Sequence, residues 1–73
     1  MFGRNGELGM VKFSIINDKI IEMFICDNKY IVAVVNKDNN IVIKGKKNLS
    51  LKKAEALYAK YYKEYDMANN DLR

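Results

Sequence analysis

Residues 30–35, Tyr-Ile-Val-Ala-Val-Val, are the tightest constraint on how this chain can fold. A strand sends alternate side chains to opposite faces, so Tyr30, Val32 and Val34 point one way and Ile31, Ala33 and Val35 the other. Neither set is polar. A strand that is apolar on both sides is ordinarily central in its sheet and covered twice. Residues 19–26 pose the same problem. Ile21, Met23 and Ile25 share one face, while Ile20, Phe24 and Cys26 share the other with Glu22 among them. Yet only one stretch of the chain is helical. One helix can cover one face of a small sheet, which leaves the second apolar face of two strands without a cover.

The helical stretch is residues 50–66. Leu51, Ala54, Tyr58, Tyr61, Tyr65 and Ala68 recur at spacings of three and four, with Leu57 and Tyr62 beside them. At 100° per residue they fall in an arc of roughly 140°, the width of a stripe packed on a core. Tyr62, at one rim, is the tyrosine expected to be exposed. Lys52, Lys53, Lys60 and Lys63 occupy the opposite side. Glu55, Glu64 and Asp66 sit at the rims, where Lys52–Glu55, Lys60–Glu64 and Lys63–Asp66 pairs would each add about 0.2–0.5 kcal/mol. Ser50 is placed to cap the helix, because its hydroxyl can accept from a free N–H of the first turn. Leu49 before it is placed to act as a hydrophobic staple. Asn69 and Asn70 are suited to close the helix, since Asn tolerates the left-handed cap conformation.

The remaining chain reads as short strands joined by polar turns. Residues 10–16 alternate, with Val11, Phe13 and Ile15 forming the expected buried face. Asn17-Asp18 and Asp27-Asn28-Lys29 are turn signals. Residues 36–40 form a polar turn, residues 41–44 a short fourth strand with Ile41 and Ile43 on one face, and residues 45–49 the connection to the helix. Connections this short favour an antiparallel meander. The expected fold is therefore α+β: a four-stranded antiparallel β-meander with one C-terminal α-helix packed on one face, in the order ββββα. Residues 1–9 are expected to be a flexible tail, residues 10–68 a single domain and residues 69–73 a frayed end.

A 73-residue domain buries only about 60% of its unfolded surface and is marginal alone. Disulfides, metals and self-association are the usual remedies. Cys26 is the single cysteine and there is no histidine, so an intrachain disulfide and the usual Cys/His zinc sites are excluded. Self-association remains, through Ile20, Phe24, Ile31, Ala33 and Val35 or through the set opposite. The two expected forms are a homodimer packed sheet to sheet and one joined strand to strand.

Chemistry-bearing patterns are scarce. Without histidine the commonest general base is absent. Ser14 and Ser50 have no neighbouring base, and Asp27 beside Cys26 would raise rather than lower a thiol pKa. Glu22 is the one acid inside a strand and is expected at an edge or facing solvent. Gly3, Gly6 and Gly9 follow no strand and lead to no Lys-Ser/Thr, so they form no phosphate loop. No enzyme, cofactor, metal site or small-molecule substrate is expected. An unpaired cysteine and the lack of an apolar leader point to the cytoplasm.

The net charge of +4 is unevenly placed. Residues 1–43 balance to zero, residues 44–63 carry +6 and residues 64–73 carry −2. Lys44, Lys46, Lys47, Lys52, Lys53, Lys60 and Lys63 supply the positive field, which offers an alternative function in nonspecific nucleic-acid binding through phosphate neutralisation. Eleven lysines against two arginines suit backbone contact better than base reading. The lysine, isoleucine and asparagine bias, with no threonine, glutamine or proline, points to an AT-rich genome such as that of a bacterium, phage or mobile element.

The passage over residues 45–57, with Lys52-Lys53-Ala54-Glu55-Ala56, resembles the arm-binding domains of phage-type integrases over that segment alone. Those domains meet DNA with a polar, basic sheet. The strands here are apolar, so no function is carried across. The leading expectation is a non-enzymatic protein-interaction or regulatory module that pairs with itself.

Overall fold

The computed structural model describes residues 8–71, with side chains through Asp66. Of the expected tail over residues 1–9, residues 1–7 lie outside the described part, as do the last two residues, and Gly9 belongs to the first strand. Four strands, β1 (Gly9–Ile16), β2 (Lys19–Cys26), β3 (Lys29–Asn36) and β4 (Val42–Leu49), precede one helix, α1 (Leu51–Asp71). The strands form one antiparallel sheet in the order β1-β2-β3-β4, with α1 packed against it. This is the ββββα meander of an α+β fold.

Asparagine and aspartate close the turns. Asp27 and Asn28 both take positive φ, 52° and 66°, the backbone a two-residue hairpin turn requires. Asn17 does the same at 56° between β1 and β2. In the longer β3–β4 loop, Asn36 Oδ1 accepts from Asp38 N at 2.9 Å, and Asn40 at φ 60° returns the chain to β4.

The core lies between α1 and the two central strands. Ile21, Met23, Val32 and Val34 are fully buried and meet Ala54, Tyr58 and Tyr61 of the helix. Tyr30, Leu49, Leu57 and Tyr65 close its margin. Leu51 and Tyr62 of the same helix remain exposed. The cap forms as the sequence dictates: Lys53 N donates to Ser50 Oγ at 3.3 Å, and Leu49 packs on the cluster that contains Ala54. The helix passes through Asn69 and Asn70 and ends at Asp71.

Three local expectations are corrected. Val11, Phe13 and Ile15 are exposed, not buried. The β1–β2 register pairs Ser14 with Ile21 and Lys12 with Met23, so Lys12, Ser14 and Ile16 face the helix, and Val11 falls where the register shifts. The fourth strand is not residues 41–44: it runs Val42–Leu49 and absorbs the presumed connection. Two register shifts accommodate it, and Asn48 at φ 62° lies beside one of them. Finally, the rim acids do not pair along the helix. Glu55 and Glu64 turn to the sheet edges, to Lys12 at 2.8 Å and to Lys44 at 2.9 Å.

Candidate functional site

The two faces of the sheet divide the side chains in an unusual way. On the helix side, β1 presents Lys12 and Ser14 and β4 presents Lys44 and Lys46, while Ile16 and Leu49 join the core. Lys12 Nζ lies 4.5 Å from the centre of the Tyr58 ring while it bridges to Glu55. Ser14 Oγ and Tyr58 OH share a hydrogen bond of 2.6 Å. Lys44, on the other edge, lies 5.1 Å from the centre of the Tyr61 ring and 5.5 Å from that of Tyr65, and donates to both carboxylate oxygens of Glu64. That hydrogen bond holds the Lys44 pKa above the ordinary lysine value, against a smaller opposing effect of burial.

On the side without the helix, β1 is apolar and β4 contributes Val42. Register places Met10 beside Phe24, Phe13 beside Glu22, and Ile15 beside Ile20. It continues Ile31 beside Phe24, Ala33 beside Glu22, and Val35 beside Ile20. All five predicted interface residues, Ile20, Phe24, Ile31, Ala33 and Val35, thus lie together on this face. Sequence alone missed Met10, Phe13, Ile15 and Val42, which extend the face to both edges and are 50%, 56%, 54% and 61% exposed. Their alternation was visible, but assigning them to this side needed the pairing register.

A hollow of about 520 Å³ lies on this face, with Leu8, Glu22, Phe24, Ile31, Val42 and Lys47 among its lining residues. Its floor is Ala33 and Gly45, paired across β3 and β4. Only glycine fits at that second position. A Cβ there would stand 2.6 Å from the Val32 carbonyl oxygen and 3.0 Å from Ala33 Cα. Glu22 stands on a central strand rather than at a sheet edge, half-buried on the face without the helix.

The structure separates the seven lysines of the basic segment. Lys44 is engaged with α1. Lys47 borders the hollow on the face away from the helix, whereas Lys46 pairs with Val32 and falls on the helix side of β4. Lys52, Lys53, Lys60 and Lys63 are exposed on α1 and make no ion pair among the described residues. At 100° per residue those four span about 100° of the helix, opposite the tyrosine stripe. One flat ligand cannot touch Lys47 and the outer helix side together.

Among the described residues, no buried side-chain nitrogen or oxygen lacks a hydrogen-bond partner, and no three metal-ligating groups converge. Cys26 is a half-buried free thiol at the end of β2. Among the same residues, no helix is long and apolar enough to cross a membrane. Comparison with protein-family models, curated proteins and solved structures finds no match to the chain.

Proposed function

We propose that this protein is a non-enzymatic interaction module of the cytoplasm that pairs with a second copy of itself through the sheet face opposite α1. One observation carries the reading: β1 turns Lys12 and Ser14 toward the helix and Met10, Phe13 and Ile15 away from it, and β4 turns Lys44 toward the helix and Val42 away. A sheet face destined for water carries the reverse pattern. Phe13, Ile15 and Val42 would each be a liability on a solvated surface, and together with the central strands they form a continuous apolar patch.

Size supports the reading. Four strands spaced about 4.8 Å apart, each of eight residues rising about 3.3 Å, give a face of roughly 500 Å² before surface relief is counted. Two such faces bury roughly 1,000 Å², which meets the lower limit for a specific interface. Charge supports a second copy in particular. The face carries one central acid, Glu22, and one basic group, Lys47, beside the hollow. A two-fold interface forms the pairing of Glu22 with the other copy's Lys47 twice, because residue i meets j and j meets i.

Sheet-to-sheet pairing is favoured over joining of edges. β1 carries one register shift and β4 two, and β4 also carries Lys44, Lys46 and Lys47. Bulges and lysines are the usual devices that keep an edge from pairing. Light scattering at micromolar concentration tests the proposal. A species of twice 8.5 kDa that dissociates on dilution is expected, whereas 8.5 kDa at every concentration refutes it.

A second reading, nonspecific nucleic-acid binding, is favoured by the four exposed lysines on the outer side of α1. It predicts a low-salt mobility shift with DNA or RNA that Lys53→Glu with Lys60→Glu abolishes. A shift that survives those changes excludes it.

A further inference from the structure

We infer that the two-fold axis of this dimer runs along the strands, so that β1 of each copy lies over β4 of the other and Phe13 fills the hollow above the partner's Gly45. The inference rests on the dimer reading and adds to it a specific geometry.

The central row of the open face reads Phe13, Glu22, Ala33, Gly45 from β1 to β4. Side-chain volume falls along that row from a full aromatic ring to nothing. Phe13 stands out of the sheet, 56% exposed, while Ala33 is 9% exposed and the Gly45 position cannot hold a side chain. The row is therefore a ramp, high over β1 and low over β4.

Two in-plane axes can bring such faces together. An axis across the strands lays β1 on β1 and β4 on β4. The two Phe13 rings then collide, and the two hollows face each other with nothing between them. Voids of that kind forfeit the contacts that close packing supplies. An axis along the strands reverses the row. Phe13 meets the partner's Gly45, and Glu22 meets the partner's Ala33. High then lies on low across the whole row.

The neighbouring row agrees. Ile15, Ile20, Val35 and Val42 occupy successive strands in register, and the same rotation sets Ile15 over the partner's Val42. It also settles the charge. Glu22 descends into the hollow that the partner's Lys47 borders. The strands of the two sheets then run in nearly the same direction, as in aligned sheet packing. The molecule becomes four layers, helix, sheet, sheet, helix, with the open face of each sheet covered by the other.

Isotope-filtered NMR on a mixture of labelled and unlabelled wild-type chains tests the axis directly. Nuclear Overhauser contacts are expected between Phe13 ring protons of one copy and Gly45 α-protons of the other. Within one chain these groups are three strand spacings apart, about 14 Å, so no internal contact mimics the signal. A second measurement uses a short bismaleimide on chains in which Cys26→Ala removes the native thiol. Ile15→Cys and Val42→Cys chains should cross-link when mixed, and neither should cross-link alone. Both sites are more than half exposed, so the changes leave the core intact. Cross-linking of Ile15→Cys with itself would place β1 on β1 and overturn the axis while the dimer stands. A dimer showing neither contact would also overturn it. A monomer by light scattering would remove the dimer reading itself.

Discussion

Phe13→Ala separates folding from association. A phenylalanine side chain offers roughly 200 Å², so a ring 56% exposed leaves roughly 110 Å² available to a partner. Truncation to alanine removes about 80 Å² of that, worth about 2 kcal/mol at 25 cal/mol per Å². A two-fold interface loses it twice, about 4 kcal/mol in all. Interfaces return less than their full area in affinity, so the dissociation constant should rise about 10²- to 10³-fold. The folded monomer should barely notice, because the ring contributes little to the helix-side core, and surface changes usually stay within about 0.5 kcal/mol. Sedimentation velocity over a dilution series reads the first quantity. Urea unfolding, at concentrations where both proteins are monomeric, reads the second. Leu51→Ala is the control: Leu51 is 50% exposed on α1, at the far side of the sheet, and its loss should leave association unchanged. An unchanged dissociation constant for Phe13→Ala, or an equal weakening by Leu51→Ala, would show that the reasoning from the open face is wrong.

Tyr58→Phe removes the 2.6 Å hydrogen bond to Ser14 and should cost about 1 kcal/mol, read as a melting temperature lower by about 4–8 °C. Adding Ser14→Ala should recover part of the loss, and simple additivity would place the two side chains outside one network. Gly45→Ala forces backbone apart at 2.6 Å and should cost about 1–3 kcal/mol in urea unfolding; a neutral result would mean that β4 shifts freely at its bulges. Lys44 has a raised folded-state pKa, so its bond to Glu64 contributes fully below the ordinary lysine range and is lost as pH rises through the raised value. Lys44→Met should therefore flatten the alkaline fall of the stability curve, and identical alkaline curves for both proteins would refute the assignment.

How much of this was legible from the sequence depended on the range of the interaction. The helix, its Ser50 cap and its tyrosine stripe are local, and period and capping chemistry set them within a few turns. The doubly apolar central strands were equally plain, and with them the shortage of cover. What failed was whatever depended on pairing. Phe13 and Ile15 look like the buried side of β1, since they are its larger apolar residues. Their side is decided by β2, where Ser14 pairs with Ile21 and Phe13 with Glu22, and a one-residue slip exchanges the faces. Residues 45–49 look like a loop, because Gly-Lys-Lys-Asn has turn chemistry. In the fold, the positive φ of Asn48 lies beside a register shift within β4 instead.

The same misassignment explains why the open face matters. A helix with its side chains is about 10–12 Å across, while four strands span about 19 Å. It buries the inner two strands and reaches the edge strands only at Ile16 and Leu49. On its own side the overhanging edges are finished with groups that tolerate water and still hold the helix: Lys12 to Glu55, Ser14 to Tyr58, and Lys44 to Glu64. Had the chain evolved to leave the opposite face in water, the same polar finish would be needed there across all four strands. Instead Met10, Phe13, Ile15 and Val42 carry the apolar surface to both edges. An apolar face nearly twice the width of a helix is matched by another sheet, and the ramp from Phe13 to Gly45 is matched by its own reverse. Both requirements are met by a second copy of this chain, and a helical partner meets neither.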